Sequence, residues 1–285
     1  MLRTFLLFVM LYPLVQAEMR HGVAVSVNGQ KCDEFISCEN EMFPLMSVVK
    51  FPLAIVVLHQ VEEGKLSMEQ AFELSVSDMD AQTWSPLQRR YPEGGAFTLR
   101  ELLHASICES DNNACNYLFS LVGGPQEVQH FFCQRYGSGF PLRVTQIENS
   151  IKNPQRVEGN FATPVAILRL LEDVYAAAHC LGEKSLLSVA SASYLLEVMA
   201  QTHTGNLRLR AGLSNNDICF AHKTGSSGVE NGRTLAHHDA GIIMRPGRGY
   251  ACVVSFISDS NESEEQMNAR HSSIARSVDA ALMTH

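Results

Sequence analysis

The chain carries one tryptophan in 285 residues, no Cys-x-x-Cys pair and no dense cluster of lysine or arginine. It has no internal repeat and no low-complexity tract. Each absence removes a class of function. Without a Cys-x-x-Cys pair, a zinc ribbon or a thioredoxin-like redox centre has no basis. Without a basic cluster, and with a formal net charge of −8, nothing favours nucleic acid or an anionic membrane surface. Charged residues are 18% of the chain against 46% apolar. That balance excludes disorder and leaves material for a sizeable core. The lone Trp84 and the methionines read as packing residues.

What is present begins with an address. Met1-Leu2-Arg3 gives a short basic start, Phe5 to Val15 is almost wholly apolar, and Val15-Gln16-Ala17 offers small residues at cleavage-type positions. The pattern predicts a signal peptide over residues 1–17; the bland alternative is an ordinary first helix. The run is short for a bilayer and is broken by Pro13, and no later run is long enough to span. The expectation is an exported protein, periplasmic or secreted, with no membrane association after processing. Eight cysteines permit disulfides in that compartment. Cys219 and Cys252 sit in apolar runs and read as buried thiols. Cys32 and Cys38 are either bridged across a turn or left as thiols.

Periodicity gives the organisation. Gly22 to Val27 alternates and meets Asn28-Gly29, a strand with a hairpin signal, and Asp33 to Glu39 can return as the next strand. Val48 to Val61 is apolar on nearly every face, which predicts a deeply buried helix, slightly kinked by Pro52. Residues 67–197 read as mostly helical, with a capping box at Thr98 and Glu101, a stop at Gly123-Gly124 and a start at Thr163-Pro164. Between Leu142 and Thr163 no period holds, so a long surface loop is expected. Three strand runs follow (218–224, 234–244 and 249–258), then a helix over 262–283. Strands at both ends around a helical middle imply a discontinuous sheet domain, 18–48 with 201–285, enclosing an all-α domain, 49–200, with a site at their interface.

Three short motifs carry the chemistry. In Ser47-Val48-Val49-Lys50 the i, i+3 spacing brings an amine to a hydroxyl, and a serine hydroxyl needs such a base to become a nucleophile. Alone the motif is weak, because it recurs by chance. Ser110-Asp111-Asn112 falls between two helical segments. It is either a turn facing a cleft, with Ser110 relaying a proton and Asn112 bonding an amide, or a plain helix cap. Lys223-Thr224-Gly225 ends an apolar strand, where the two side chains can hold a carboxylate and Gly225 lets a substrate approach the backbone edge. The bland alternative is a charged strand end before a turn. His237-His238-Asp239 invites a metal reading, but no second ligand cluster is evident and ordinary hydrogen bonds are expected. No metal and no cofactor is called for.

Ser-x-x-Lys, Ser-Asp-Asn and Lys-Thr-Gly in this order resemble the signature of serine β-lactamases and penicillin-binding proteins. The stretches Phe43 to Phe51, Ser110 to Cys115, Leu121 to Pro125 and Ala221 to Gly225 resemble the extended-spectrum branch of class A. The likeness covers the chain from about Gly22 onward. It implies a β-lactamase/transpeptidase-like fold of α/β (α+β) class: a five-stranded antiparallel sheet flanked by helices, plus an all-helical domain. It implies a monomeric enzyme that takes small-molecule β-lactams and forms an acyl-enzyme on Ser47. It assigns Lys50, Ser110 and Glu148 to catalysis, with Glu148, 38 residues after Ser110, as general base for deacylation. Glu158 is the competing carboxylate. Lys152 replaces an asparagine that usually helps hold the water. Asn112, Lys223, Thr224, Gly225, Ser226 and Arg208 bind substrate by the same resemblance, and the backbone N–H groups of Ser47 and Ser226 form the oxyanion hole. The alternative for Arg208 is a solvated surface arginine. Met46 precludes the disulfide found beside the nucleophile in some relatives. The family's first helix has too few residues after Ala17, so either Phe5 to Val15 supplies it, or the start is misplaced, or the fold lacks it. The rival readings are a D-Ala-D-Ala peptidase, a β-lactam sensor domain and a serine glutaminase; Glu148 argues against the first.

Overall fold

The computed structural model describes residues 19–147, 159–181, 185–213 and 217–284. The signal-peptide reading and the question of a first helix therefore lie outside the described residues.

Strand β1 (Arg20–Val27) turns at Asn28 and Gly29, whose φ values of 50° and 77° give the two left-handed residues of a type I′ hairpin. The return differs from expectation. β2 is only Gln30–Lys31, Asp33–Phe35 is a 3-10 turn, and the chain touches β1 again only through a Val23–Ser37 bridge. Cys38 has a φ of 42°, which no regular strand accepts, and a short charged edge resists strand addition. Cys32 and Cys38 are thiols, not a bridge, and Cys219 is exposed rather than buried. Cys252 is buried as expected.

Next come β3 (Phe43–Pro44), a 3-10 turn over Met46–Val49, and α1 (Lys50–Glu62), which buries every residue from Lys50 to Leu58. Pro52 lies in the first turn of α1, where helical amides lack partners anyway. The irregularity expected there takes the form of the 3-10 turn just ahead of it. β4 (Ala71–Leu74) and β5 (Gly95–Thr98) form a ribbon around α2 (Pro86–Arg90). α3 (Leu99–Cys108) opens on the expected Thr98–Glu101 capping box. α4 (Asn112–Val122) stops at Gly123, φ 97°. Then follow α5 (Pro125–Tyr136), β6 (Leu142–Arg143), β7 (Phe161–Ala162), α6 (Pro164–Ala178), capped by Thr163 with proline at its first position, and α7 (Val189–Ala200). The chain closes with β8 (Cys219–Ser226), β9 (Val229–Glu230), β10 (Arg233–Thr234), β11 (His237–Arg245), β12 (Gly249–Ser258) and α8 (Glu264–Thr284).

The main sheet has the antiparallel order β2-β1-β12-β11-β8. Alternation along its strands makes two apolar faces. Val23, Val25, Ile243 and Val253 pack with Val278 and Leu282 of α8. Ala24, Ile242, Val254 and Phe256 face the larger core that contains α1, α3, α4, α6 and α7. A bidentate pair, Arg245 to Asp279 at 2.6 and 2.7 Å, ties β11 to α8. β8 is thus the sheet's edge strand, and it runs beside the 3-10 turn that carries Ser47. Among the described residues no helix is long and apolar enough to cross a membrane.

Candidate active site

Ser47 sits on the 3-10 turn rather than on an α-helix. In that geometry residues i and i+3 eclipse, so Lys50 lies directly over Ser47. Lys50 Nζ lies within hydrogen-bond distance of four oxygens, more than its three N–H groups can serve singly: Ser47 Oγ at 2.8 Å, the Ser110 carbonyl at 2.9 Å, Ser110 Oγ at 3.2 Å and Asn112 Oδ1 at 2.6 Å. Its side chain is fully buried. Burying an ammonium group without such acceptors costs several kcal/mol, so this ring of oxygens is what allows a lysine there. Met46, just before Ser47, has a left-handed φ of 44°, a strained backbone that a long side chain rarely adopts.

Ser110-Asp111-Asn112 forms the helix cap of one reading, and it also places Ser110 and Asn112 against Lys50. Asp111 caps α4 through the Ala114 amide, and its second oxygen accepts from Ser85 Oγ and the Leu87 amide. Ser110, with φ at 57°, turns inward beside it. The Ser110 hydroxyl receives Lys50 Nζ from one side and Lys223 Nζ, at 2.9 Å, from the other. Asn112 spends its carbonyl on Lys50 and donates its amide to Thr83 Oγ1 at 2.8 Å.

On β8, Lys223 is buried and also donates to the Thr224 carbonyl. Thr224 Oγ1 lies 2.6 Å from Thr204 Oγ1. Gly225 has a use that its sequence reading did not include. A Cβ there would sit 2.6 Å from the Leu45 carbonyl oxygen and 3.1 Å from Val48, so its bare backbone is what lets β8 close on the nucleophile turn. Arg208 is not a solvated surface residue. It is 7% exposed and donates to the carbonyls of Gly225 and His238 and to Ser226 Oγ. Burial pulls its pKa down, while the charges of Asp239 and Glu264 oppose that shift.

The histidine pair makes hydrogen bonds. His238 Nε2 meets the Pro44 carbonyl, and His237 Nδ1 meets His271 Nε2. Trp84 corrects its sequence reading. It is 54% exposed, its carbonyl accepts the Asn112 amide, and the Arg89 guanidinium lies over its ring. It forms a flat apolar plate at the rim of the Ser-Asp-Asn turn. A lone tryptophan gives no periodic signal that would have revealed this.

Glu148, Lys152 and Glu158 lie outside the described residues. The flanks of that segment are fixed. Asn160 Oδ1 accepts the amides of Thr145 and Gln146, its Nδ2 donates to the Gln146 carbonyl, and its own carbonyl accepts the Leu45 amide. The chain thus leaves at Ile147 and returns at Gly159 beside a residue two positions ahead of Ser47.

Residues 17–281 match the family model Beta-lactamase2, the beta-lactamase enzyme family. The chain belongs to that family. Within it the relatives place the protein in class A. Beta-lactamase VEB-1 of Pseudomonas aeruginosa is 34% identical over 247 residues, 86% of this chain and 80% of the relative. The extended-spectrum beta-lactamase PER-1 of the same organism is 34% identical over 240 residues, 84% of this chain and 75% of the relative. A solved beta-lactamase from Chitinophaga pinensis DSM 2588 has a TM-score of 0.84 at 35% identity, covering 92% of this chain and 93% of that one. A class A beta-lactamase from Bacteroides cellulosilyticus DSM 14838 has the same TM-score at 27% identity, covering 94% and 93%. In this class A β-lactamase, one fold therefore brings the three sequence motifs together, with two buried lysine side chains converging on one serine hydroxyl.

Proposed function

We propose that this β-lactamase hydrolyses its substrates through an ester on Ser47, with Lys50, Ser110 and Glu148 moving protons and Lys223, Thr224, Arg208 and Ser226 holding the substrate carboxylate. The observation that carries this reading is the short chain of contacts Ser47–Lys50–Ser110–Lys223. A hydroxyl flanked by two amines is suited to pass a proton to a leaving nitrogen. A hydroxyl within reach of one amine is suited to attack a carbonyl.

As the ring opens, Ser47 Oγ bonds the carbonyl carbon and gives its proton to Lys50, acting as the neutral amine. The C–N bond breaks, and the nitrogen takes a proton through Ser110. The carbonyl oxygen carries the developing negative charge and faces the amides of Ser47 and Ser226, donors of the kind whose loss typically costs about 10²–10³ in rate. A water activated by Glu148 then cleaves the ester. Asn160 supports that assignment, because it accepts the Thr145 amide and, through its carbonyl, the amide of Leu45, two positions ahead of Ser47. Trp84, half-exposed at the rim, offers a surface for an aromatic substrate side chain. The protein acts after export as a monomer, in the periplasm or outside the cell.

Ser47→Ala should lower nitrocefin turnover by roughly 10⁶-fold, as loss of a serine nucleophile does elsewhere. Glu148→Ala should slow deacylation by about 10²–10⁴ and accumulate an adduct of one β-lactam per chain in intact mass spectrometry. Rapid turnover by that variant would remove Glu148 from the mechanism. Stoichiometric labelling of the wild type without turnover would favour the peptidase or sensor reading instead.

A further inference from the structure

Asp239 lies on β11 directly opposite Thr224 and is fully buried. A buried carboxylate persists only where charged or hydrogen-bonding partners compensate its lost hydration. Among the described residues Asp239 has two hydrogen-bond partners, and both adjoin a cation of the substrate subsite. Its Oδ1 meets His222 Nδ1 at 2.8 Å, and His222 precedes Lys223. Its Oδ2 accepts the Leu209 amide at 3.2 Å, and Leu209 follows Arg208. The segment carrying Arg208 is also fastened to β8 by Thr202 Oγ1 on the His222 carbonyl, by the Thr204–Thr224 contact and by the bonds of Arg208 to the Gly225 carbonyl and Ser226 Oγ. His222 is therefore held at both its ring and its backbone. Arg208 itself forms no ion pair among the described residues; its bonds go to two carbonyls and a hydroxyl.

We infer that Asp239 and His222 are positioning residues for the carboxylate subsite, one buried carboxylate setting the spacing between the Lys223 strand and the Arg208 segment. This rests on the reading of Lys223, Thr224 and Arg208 as carboxylate-binding. Neither Asp239 nor His222 touches substrate. The sign of the effect separates positioning from simple electrostatics. Removing an anion leaves the subsite more positive, which alone would tighten carboxylate binding. Releasing the two segments weakens it.

The test uses benzylpenicillin and its methyl ester as paired substrates, with melting temperature followed for every variant. Asp239→Asn keeps the side-chain shape but cannot accept both bonds. KM for the acid should rise about tenfold, the equivalent of one charge-assisted hydrogen bond, with a smaller change in kcat and little change in KM for the ester. His222→Ala should do the same, and His222→Gln, which keeps a donor toward Asp239, should recover most of the loss. A KM for the acid that is unchanged or lower in Asp239→Asn and His222→Ala overturns the inference. Equal losses for acid and ester overturn it too. If Asp239→Asn does not fold, the two His222 variants decide the matter by the same criteria. Arg208→Ala separates the two claims: no preferential loss for the acid would sink the carboxylate reading itself, whereas a loss there without one in the His222 or Asp239 variants sinks only the positioning role.

Discussion

At position 225 any side chain would meet backbone, with the Leu45 oxygen 2.6 Å and the Val48 amide 3.3 Å from a Cβ. Neither atom can rotate away, so Gly225→Ala must push β8 from the Ser47 turn or bend the turn itself. Displacements of about 1 Å at a reacting centre can cost 10²-fold. We expect Gly225→Ala to lose about that much in kcat/KM for nitrocefin, with a fall in melting temperature. An active, fully stable variant would show that the strand and turn slide freely. In the same crowded region Lys50 and Lys223 are each buried with the side-chain nitrogen aimed at Ser110.

Asp111 joins two elements: it caps α4 and anchors the start of α2. Asp111→Ala removes a cap and strands a buried amide and hydroxyl, which should cost about 2–4 kcal/mol. Urea unfolding checks this, and Asp111→Asn should recover part of the loss by keeping one acceptor. Elements specified by neighbours within four residues were legible beforehand: the Asn28-Gly29 hairpin, the Thr98–Glu101 box and the Thr163-Pro164 start all stand where their side chains predict. So do the three motifs, because i, i+3 spacing and strand-end position survive folding. The 3-10 turn at Ser47 was not legible, since i, i+3 spacing serves either helix and Met46 carries no mark of its left-handed backbone. The return strand after β1 was overdrawn because its alternation is broken by the conformation at Cys38. Arg208 could be read as bound or solvated because its burial is set by β8 and β11, far away in the chain. Trp84 was misread for the same reason, its place at the rim being fixed by α4.

The whole molecule carries a liability to acid in its histidines. Burial pushes His237 and His238 down to about 3 and His271 well below its ordinary range, with the nearby Arg208 charge adding to each. Burial and the Arg270 charge take half-buried His21 to about 4, against the opposing pull of Glu262. His21 and His271 share Ser255 Oγ, and the 3.1 Å contact between His237 and His271 needs a lone pair on one ring, so the cluster is built for neutral imidazoles. All four pKa values are depressed, so the folded protein refuses protons that the unfolded chain accepts below about pH 6.5. Stability contributed by this cluster is therefore complete above that pH and falls as the pH drops toward 4. At pH 5 each group in this state withdraws about 2 kcal/mol. The three buried rings His237, His238 and His271 act in the same direction, so together they bear on a large share of the stability of an ordinary globular protein. Urea midpoints should therefore decline steeply between pH 6.5 and 5 while changing little between 7 and 8. His271→Gln should flatten the slope, since it removes one of the groups that the folded protein keeps neutral. A midpoint independent of pH down to 5 would mean that the folded cluster accepts protons, contrary to the burial that surrounds it.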